Sequence, residues 1–151
     1  MGEEFQDATY VESPLYLHMN DVLCNTSDYR EAVNQKGVLR PMLPIHIKDF
    51  SDKMNSLKFG KNLFDEGAEQ KVVSVTGGEF VYNEQSKSIV FKKNGETFSP
   101  INVASGLKSF GVLQILLQTN AIHAEAPLLW DEPENHLHPG WQVEFAKIIV
   151  D

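Results

Sequence analysis

Between Pro127 and Pro139 the chain reads Pro-Leu-Leu-Trp-Asp-Glu-Pro-Glu-Asn-His-Leu-His-Pro, and no other stretch limits the fold as sharply. Leu128, Leu129 and Trp130 form a continuous apolar run, which predicts a strand buried on both faces. Asp131 and Glu132 follow at once, and Pro133 cannot extend a ladder, so the two acids stand where that strand surfaces. In open α/β sheets, ligands bind in the crevice beyond the carboxyl ends of the strands. Neighbouring residues at a strand end point in different directions, so one carboxylate can hold a metal ion while the other faces water. The plainer alternative is a strand that turns into a solvated loop.

The rest of the chain supplies a setting for that strand. Ala8 to Glu12 is β-prone, and Ser13-Pro14 offers a helix cap with proline at the first helical position. A helix through Leu15, Leu17, Met19, Val22 and Leu23 is expected next, then a second through Tyr29, Ala32 and Val33 that Gly37 ends. Ile45, Ile47, Phe50, Met54, Leu57 and Phe59 recur at mostly helical spacing, and Asn62 to Gln70 reads as a loop or short helix. From Lys71 the period changes: Val73, Val75, Phe80, Tyr82, Ile89 and Phe91 suggest strands interrupted at Gly77-Gly78. Asn94-Gly95 is a type I′ turn signal before a short strand at Thr97-Phe98, so an antiparallel meander of three or four strands is expected. Leu107, Phe110, Leu113 and Leu117 then mark a helix starting near Ser105, and Trp141, Phe145 and Ile148 mark a last helix after His138-Pro139. The fold class is α+β, in three segments. Residues 1–70 form a helical arm or lid, residues 71–99 an antiparallel β segment, and residues 100–151 a helix, strand and helix.

Composition closes off several functions. The formal net charge of −8 opposes broad electrostatic adhesion to nucleic acid or to an anionic membrane. A single cysteine, Cys24, cannot form an internal disulfide and fits a reducing compartment. No apolar run approaches the ~20 residues that span a bilayer, and the acidic start at Glu3-Glu4 is unlike a signal peptide, so a cytoplasmic protein is expected.

The strand and its two acids, Leu128-Leu129-Trp130-Asp131-Glu132-Pro133, resemble the Walker B strand of ATP-binding-cassette-type ATPases, and Asn135-His136-Leu137-His138 resembles their D-loop. Upstream, Asn102-Val103-Ala104-Ser105-Gly106-Leu107-Lys108-Ser109 is similar to the signature loop in its Ser-Gly-x-Lys form, as used by the RecF, SMC and OLD-like branch. The two motifs come in the family's order with a suitable spacing. Tyr10-Val11-Glu12-Ser13-Pro14-Leu15 and the β-rich middle also look like bacterial AAA-type proteins of this branch, part of a P-loop NTPase α/β fold.

The resemblance implies roles. Asp131 would serve Mg²⁺, mainly through the metal's water shell, and Glu132 would be the catalytic group that polarises the lytic water. Ser105 and Gly106, at a helix N-terminus, would meet the γ-phosphate of ATP held by the opposite protomer of a homodimer, with Lys108 adding a cation and His138 contributing from the D-loop. Relatives often work with a nuclease or a DNA partner, which the resemblance extends to the full-length protein. Two other readings stand beside these: Ser105 as a simple N-cap, and Glu134, His136 and His138 as a zinc- or manganese-binding hydrolytic cluster.

A P-loop requires Gly-x-x-x-x-Gly-Lys followed by Ser or Thr, and neither Gly60-Lys61-Asn62 nor Gly106-Leu107-Lys108 meets that pattern. In the resembling proteins that loop precedes everything seen here and the switch histidine follows the last helix. The expectation is therefore a central piece of a longer ATPase, which by itself neither binds ATP tightly nor hydrolyses it. The rival from another class is an interaction or regulatory domain that keeps the fold without hydrolysis.

Overall fold

The helix Ser105–Gln118 has almost no solvent-facing side, and the other elements are arranged around it. The computed structural model describes residues 8–19, 44–62, 66–123 and 125–150. In chain order these form β1 (Thr9–Val11), a helical stretch at 16–19, α1 (Ile45–Asn55) running into a 3-10 turn (Ser56–Phe59), and α2 (Glu66–Thr76). Next come β2 (Glu79–Asn83), β3 (Ser88–Lys93), β4 (Glu96–Phe98), a 3-10 turn (Pro100–Asn102), α3 (Ser105–Gln118), β5 (Leu128–Trp130) and α4 (Pro139–Val150). The fold is α+β, with one parallel and one antiparallel sheet.

The antiparallel sheet is the expected meander, in the order β2-β3-β4. Its second hairpin turns at Asn94 (φ 52°) and Gly95 (φ 80°), the two positive φ values that a type I′ turn demands. Lys92 stands opposite Glu79 and Lys93 opposite Glu96, so cross-strand charges of opposite sign match along this ladder. Phe80 and Phe91 pair on the inner face with ring centroids 4.7 Å apart.

One expectation is overturned at the start of this region. Val73 and Val75 do not begin a strand; they lie in α2, which runs from Glu66 to Thr76, so position 71 falls inside a helix. Two alternating valines are too short a run to distinguish period 2 from the helical i, i+3 pattern of Val72 and Val75. Glu66 and Glu69 in the first turn favour the helix through its dipole, and the chain turns out of it at Gly77.

β5 pairs with β1 in parallel register, Thr9 with Leu128, Tyr10 with Leu129 and Val11 with Trp130. The expectation of a strand buried on both faces is half right. Val11 is fully buried and Leu128 and Trp130 pack on the core, whereas Leu129, on the opposite face, remains 57% exposed. On that face Tyr10 lies against His46 of α1, with ring centroids 5.2 Å apart, while its neighbour Leu129 stays open. Each fully buried large apolar side chain contributes about 1.5–3 kcal/mol, against about 1 kcal/mol net for a backbone hydrogen bond. This short parallel pair packs on α1 and on the cluster it shares with α3, and Trp130 packs on Phe145 of α4, so its ladder is not its only support.

α3 divides the core in two. Val112, Ile115 and Leu116 face the cluster that holds Leu17, Phe50, Met54 and Phe80, while Phe110 and Leu113 face Val72, Phe145 and Ile148 of α2 and α4. The single stripe expected on this helix is thus two stripes, consistent with its enclosure. Leu15 and Met19, expected in a core helix, are 38% and 42% exposed, and only Leu17 of that stretch is fully buried. Val22, Leu23, Cys24, Tyr29, Ala32 and Val33 lie outside the described residues.

A polar seam crosses the core where α2 meets α3. Glu69 Oε1 accepts hydrogen bonds from Gln114 Nε2 (3.0 Å) and Gln118 Nε2 (2.9 Å), and Lys61 Nζ lies 3.3 Å away while also pairing with Glu79. Burial pushes the Glu69 carboxyl up, but the Gln118 and Gln114 amides and the Lys61 ammonium outweigh it and leave it below the ordinary glutamate value. A carboxyl lowered in the folded state adds stability above its unfolded pKa of about 4.3 and loses it as pH falls through the folded value. Acid unfolding followed by circular dichroism should therefore show a shallower loss of stability below about pH 4.5 in Glu69→Gln than in the parent chain.

Gly111 marks the closest approach of the antiparallel sheet to α3. A Cβ there would stand 2.6 Å from Phe80 Cε2 and 2.9 Å from Leu17 Cδ2, both on fully enclosed side chains. Gly111→Ala should destabilise the protein by about 1–3 kcal/mol, measured by urea denaturation, because the overpacked core cannot yield without moving β2.

Candidate functional site

Because β1 and β5 are parallel, their carboxyl ends lie on one edge, and the chain delivers Glu12 and Asp131 there side by side. The Asp131 N–H donates to Val11 O at 2.9 Å, extending the ladder one bond past Trp130. Glu132 then adopts φ 46°, a left-handed conformation costing about 1–2 kcal/mol for a residue with a Cβ, and the strand stops. Both acids are exposed. Asn135 Nδ2 donates to Glu132 Oε2, and the Asn135 N–H donates to Glu132 O at 3.0 Å, so a local turn orients that side chain.

The loop from 131 to 138 is fixed from beneath. Leu137 is buried against Phe110, Phe145 and Ile148, and Gln142 Nε2 reaches back to Leu137 O at 3.2 Å. Trp130 meets Phe145 edge-on at 5.1 Å, and Trp141 meets Phe110 edge-on at 5.5 Å, so an aromatic block carries both the strand end and the loop. His138 opens α4: its carbonyl accepts from the Trp141 N–H at 2.7 Å, and its Nδ1 lies 3.3 Å from the Gly140 N–H, in the manner of a cap. His136 has φ 68°, which aims its carbonyl at α3.

The first turn of α3 lies directly against this loop. A Cβ on Gly106 would stand 2.8 Å from His136 O and 3.4 Å from the Trp141 ring, so glycine is what lets the loop close on the helix. Ala104, not Ser105, occupies the cap position, and no side chain caps the helix, so the N-cap reading of Ser105 is not realised. Ser105 is half-buried as the first helical residue, and the first intrahelical bond is Lys108 N–H to Ala104 O at 3.2 Å. The N–H groups ahead of it have no acceptor within the helix, which favours an anion there. Lys108 departs from its expected place. It is buried, with Nζ 3.4 Å from His18 Nδ1, so its charge is turned inward rather than offered at the surface.

Sequence reasoning passed over a group beside the acids. Tyr16 O–H donates to Glu12 Oε2, and His46 Nε2 lies 3.1 Å from the same oxygen. The Tyr16 and His46 hydrogen bonds hold the Glu12 carboxyl below its usual range, while burial, then Glu12 itself, raises the Tyr16 phenol to about 12. The signal was available: Glu12 ends a β-prone stretch as Asp131 ends another, but only the parallel pairing makes them neighbours. No group of three or more His, Cys, Asp or Glu side chains among the described residues is placed to share a metal ion, so Glu134, His136 and His138 do not form the alternative cluster.

A family model described as "AAA domain, putative AbiEii toxin, Type IV TA system" matches residues 29–151, most of the chain. The chain belongs to this AAA family. That membership makes it, at the coarse level, a nucleotide-binding protein of the P-loop NTPase kind. No curated protein and no solved structure matches the chain. Within the AAA domain the matched span includes α3, β5 and the 131–138 loop, and no helix among the described residues is long and apolar enough to cross a membrane.

The packing of His136 O on Gly106 yields a test. Gly106→Ala should lift the loop off α3 and cost about 1–3 kcal/mol, read as a lower urea midpoint together with altered Trp141 emission.

Proposed function

We propose that this AAA domain belongs to an ATP-hydrolysing ATPase of the ABC/RecF-like type, to which it contributes the signature loop, the Walker B strand and the D-loop. The observation that carries the reading is the parallel strand β5, which ends in Asp131 and Glu132 on the carboxyl edge while the loop after it closes on the uncapped first turn of α3. A magnesium site, a water-polarising acid and an anion-favouring helix end are the parts phosphoryl transfer needs besides a phosphate cradle.

Asp131 fits Mg²⁺: it is an exposed hard oxygen donor at a strand end, and one carboxylate suffices for an ion that keeps several of its waters. Bound there, the ion would neutralise charge on the phosphate oxygens. Glu132 is the acid that orients and deprotonates water; it is exposed, and its Oε2 accepts from Asn135, which holds the carboxylate in place for that task. Ser105 and Gly106 supply N–H groups for the γ-phosphate of ATP bound by a second copy, which makes the working unit a dimer. Lys108, turned inward to His18, is not offered to the phosphate, and His138 acts by capping α4 and fixing the D-loop. Within that branch, a nuclease or a DNA-bound protein is the partner class, in a cytoplasmic setting.

The test uses the ATPase that carries these residues together with a Gly-x-x-x-x-Gly-Lys-Ser/Thr loop. Glu132→Gln should leave Mg-ATP binding by calorimetry intact and lower phosphate release by about 100-fold or more. Unchanged phosphate release would remove Glu132 from the chemistry, and no release from the parent protein would favour a non-hydrolysing interaction domain.

A further inference from the structure

The polar seam between α2 and α3 has a geometry that packing alone does not need. α3 is about 21 Å long and enclosed by apolar side chains on two faces, and apolar contacts are non-directional. Close packing at Gly106 and Gly111 limits how far such a helix can move, and the seam adds directional contacts to that limit. Gln114 and Gln118 lie one turn apart on a single face, and both donate to the same oxygen, Glu69 Oε1. The other end of the Gln114 amide accepts the Phe80 N–H of β2 at 2.8 Å, and the Asn62 N–H donates to Gln118 O at 2.7 Å. Lys61 closes the seam by bridging Glu69 and Glu79.

We infer that Glu69 is a positioning residue, which through Gln114 and Gln118 fixes the rotation and height of α3 and thereby sets where Ser105, Gly106 and Lys108 stand. Two donors one turn apart, converging on one atom, define both the angle about the helix axis and the position along it. The chain tolerates costs to keep this arrangement: Gln118 Oε1 is buried with no hydrogen-bond partner among the described residues. Glu69 is buried while Lys61 and Glu79 are partly exposed, and a buried charge with its partners contributes little net stability over an apolar filling of the same volume, so its gain lies in geometry. The seam is six residues or more from the first turn, and a continuous helix carries the constraint between them. Its consequence for catalysis rests on the ATPase reading above.

The test is hydrogen–deuterium exchange on the 151-residue chain without nucleotide, so it stands or falls separately from ATP hydrolysis. The amides to follow are those of Lys108 to Gly111, since the N–H groups before them lack helical acceptors. Glu69→Met, which keeps the volume and removes the acceptor, should quicken their exchange about tenfold or more while the β2–β3 ladder stays slow. Glu69→Gln, which can keep an oxygen in the same place, should restore exchange near the parent rate. Gln118→Met removes one of the two donors and should give an intermediate rate, which preserves the test if Glu69→Met fails to fold. The two tryptophans, labelled with fluorine, add a local signature: Trp141, against Gly106, should shift in Glu69→Met and return in Glu69→Gln. Exchange that quickens only at Gln114 to Gln118, or evenly through the protein, or equally in the Met and Gln variants, would overturn the assignment.

Discussion

A helix surrounded on every side has no solvent face to orient it, and α3 is in that position. It divides the apolar interior into two clusters, one shared with β1, α1 and the antiparallel sheet, the other with α2, the 137 region and α4. Removing its register from the fold would leave both clusters without a common wall. The parallel pair β1–β5 draws on the same cluster, because a two-stranded ladder is too small to sustain itself and Val11, Leu128 and Trp130 pack among residues of α1, α3 and α4.

Several polar contacts stand where apolar packing is indifferent. Thr9 Oγ1 donates to Ala121 O at 2.9 Å, tying the start of β1 to the chain just past α3. Glu69 gathers two glutamine amides from the same helix. Asp131 reaches Val11 through the backbone, and Gln142 holds the loop that follows. Each of these fixes a relative position between elements, while burial supplies most of the free energy.

The site is an outcome of that arrangement. Its acids are exposed and carried on a strand end; its helix terminus is uncapped and pressed by a carbonyl across a glycine. The left-handed residues Glu132 and His136 bracket the loop, and the aromatic block of Trp130, Phe145, Phe110 and Trp141 holds it from below. Local strain at Glu132 is offset by the packing underneath, which is how an exposed carboxylate can be presented to solvent in a fixed direction.

The sequence by itself determined the local features: the strand at 128–130, its acidic end, the helix that begins at Ser105, the Asn94-Gly95 turn and the final helix after Pro139. These follow from side-chain period, turn chemistry and proline, which act over a few residues. It could not decide whether Val73 and Val75 alternate as a strand or lie on a helix, because so short a run satisfies both periods until α2 packs against α3. Nor could it reveal that Leu129 stays open, that Lys108 turns inward to His18, or that Glu12 and Asp131 are neighbours. Those depend on which distant segments meet, and burial and pairing across more than a hundred residues are properties of the tertiary structure alone.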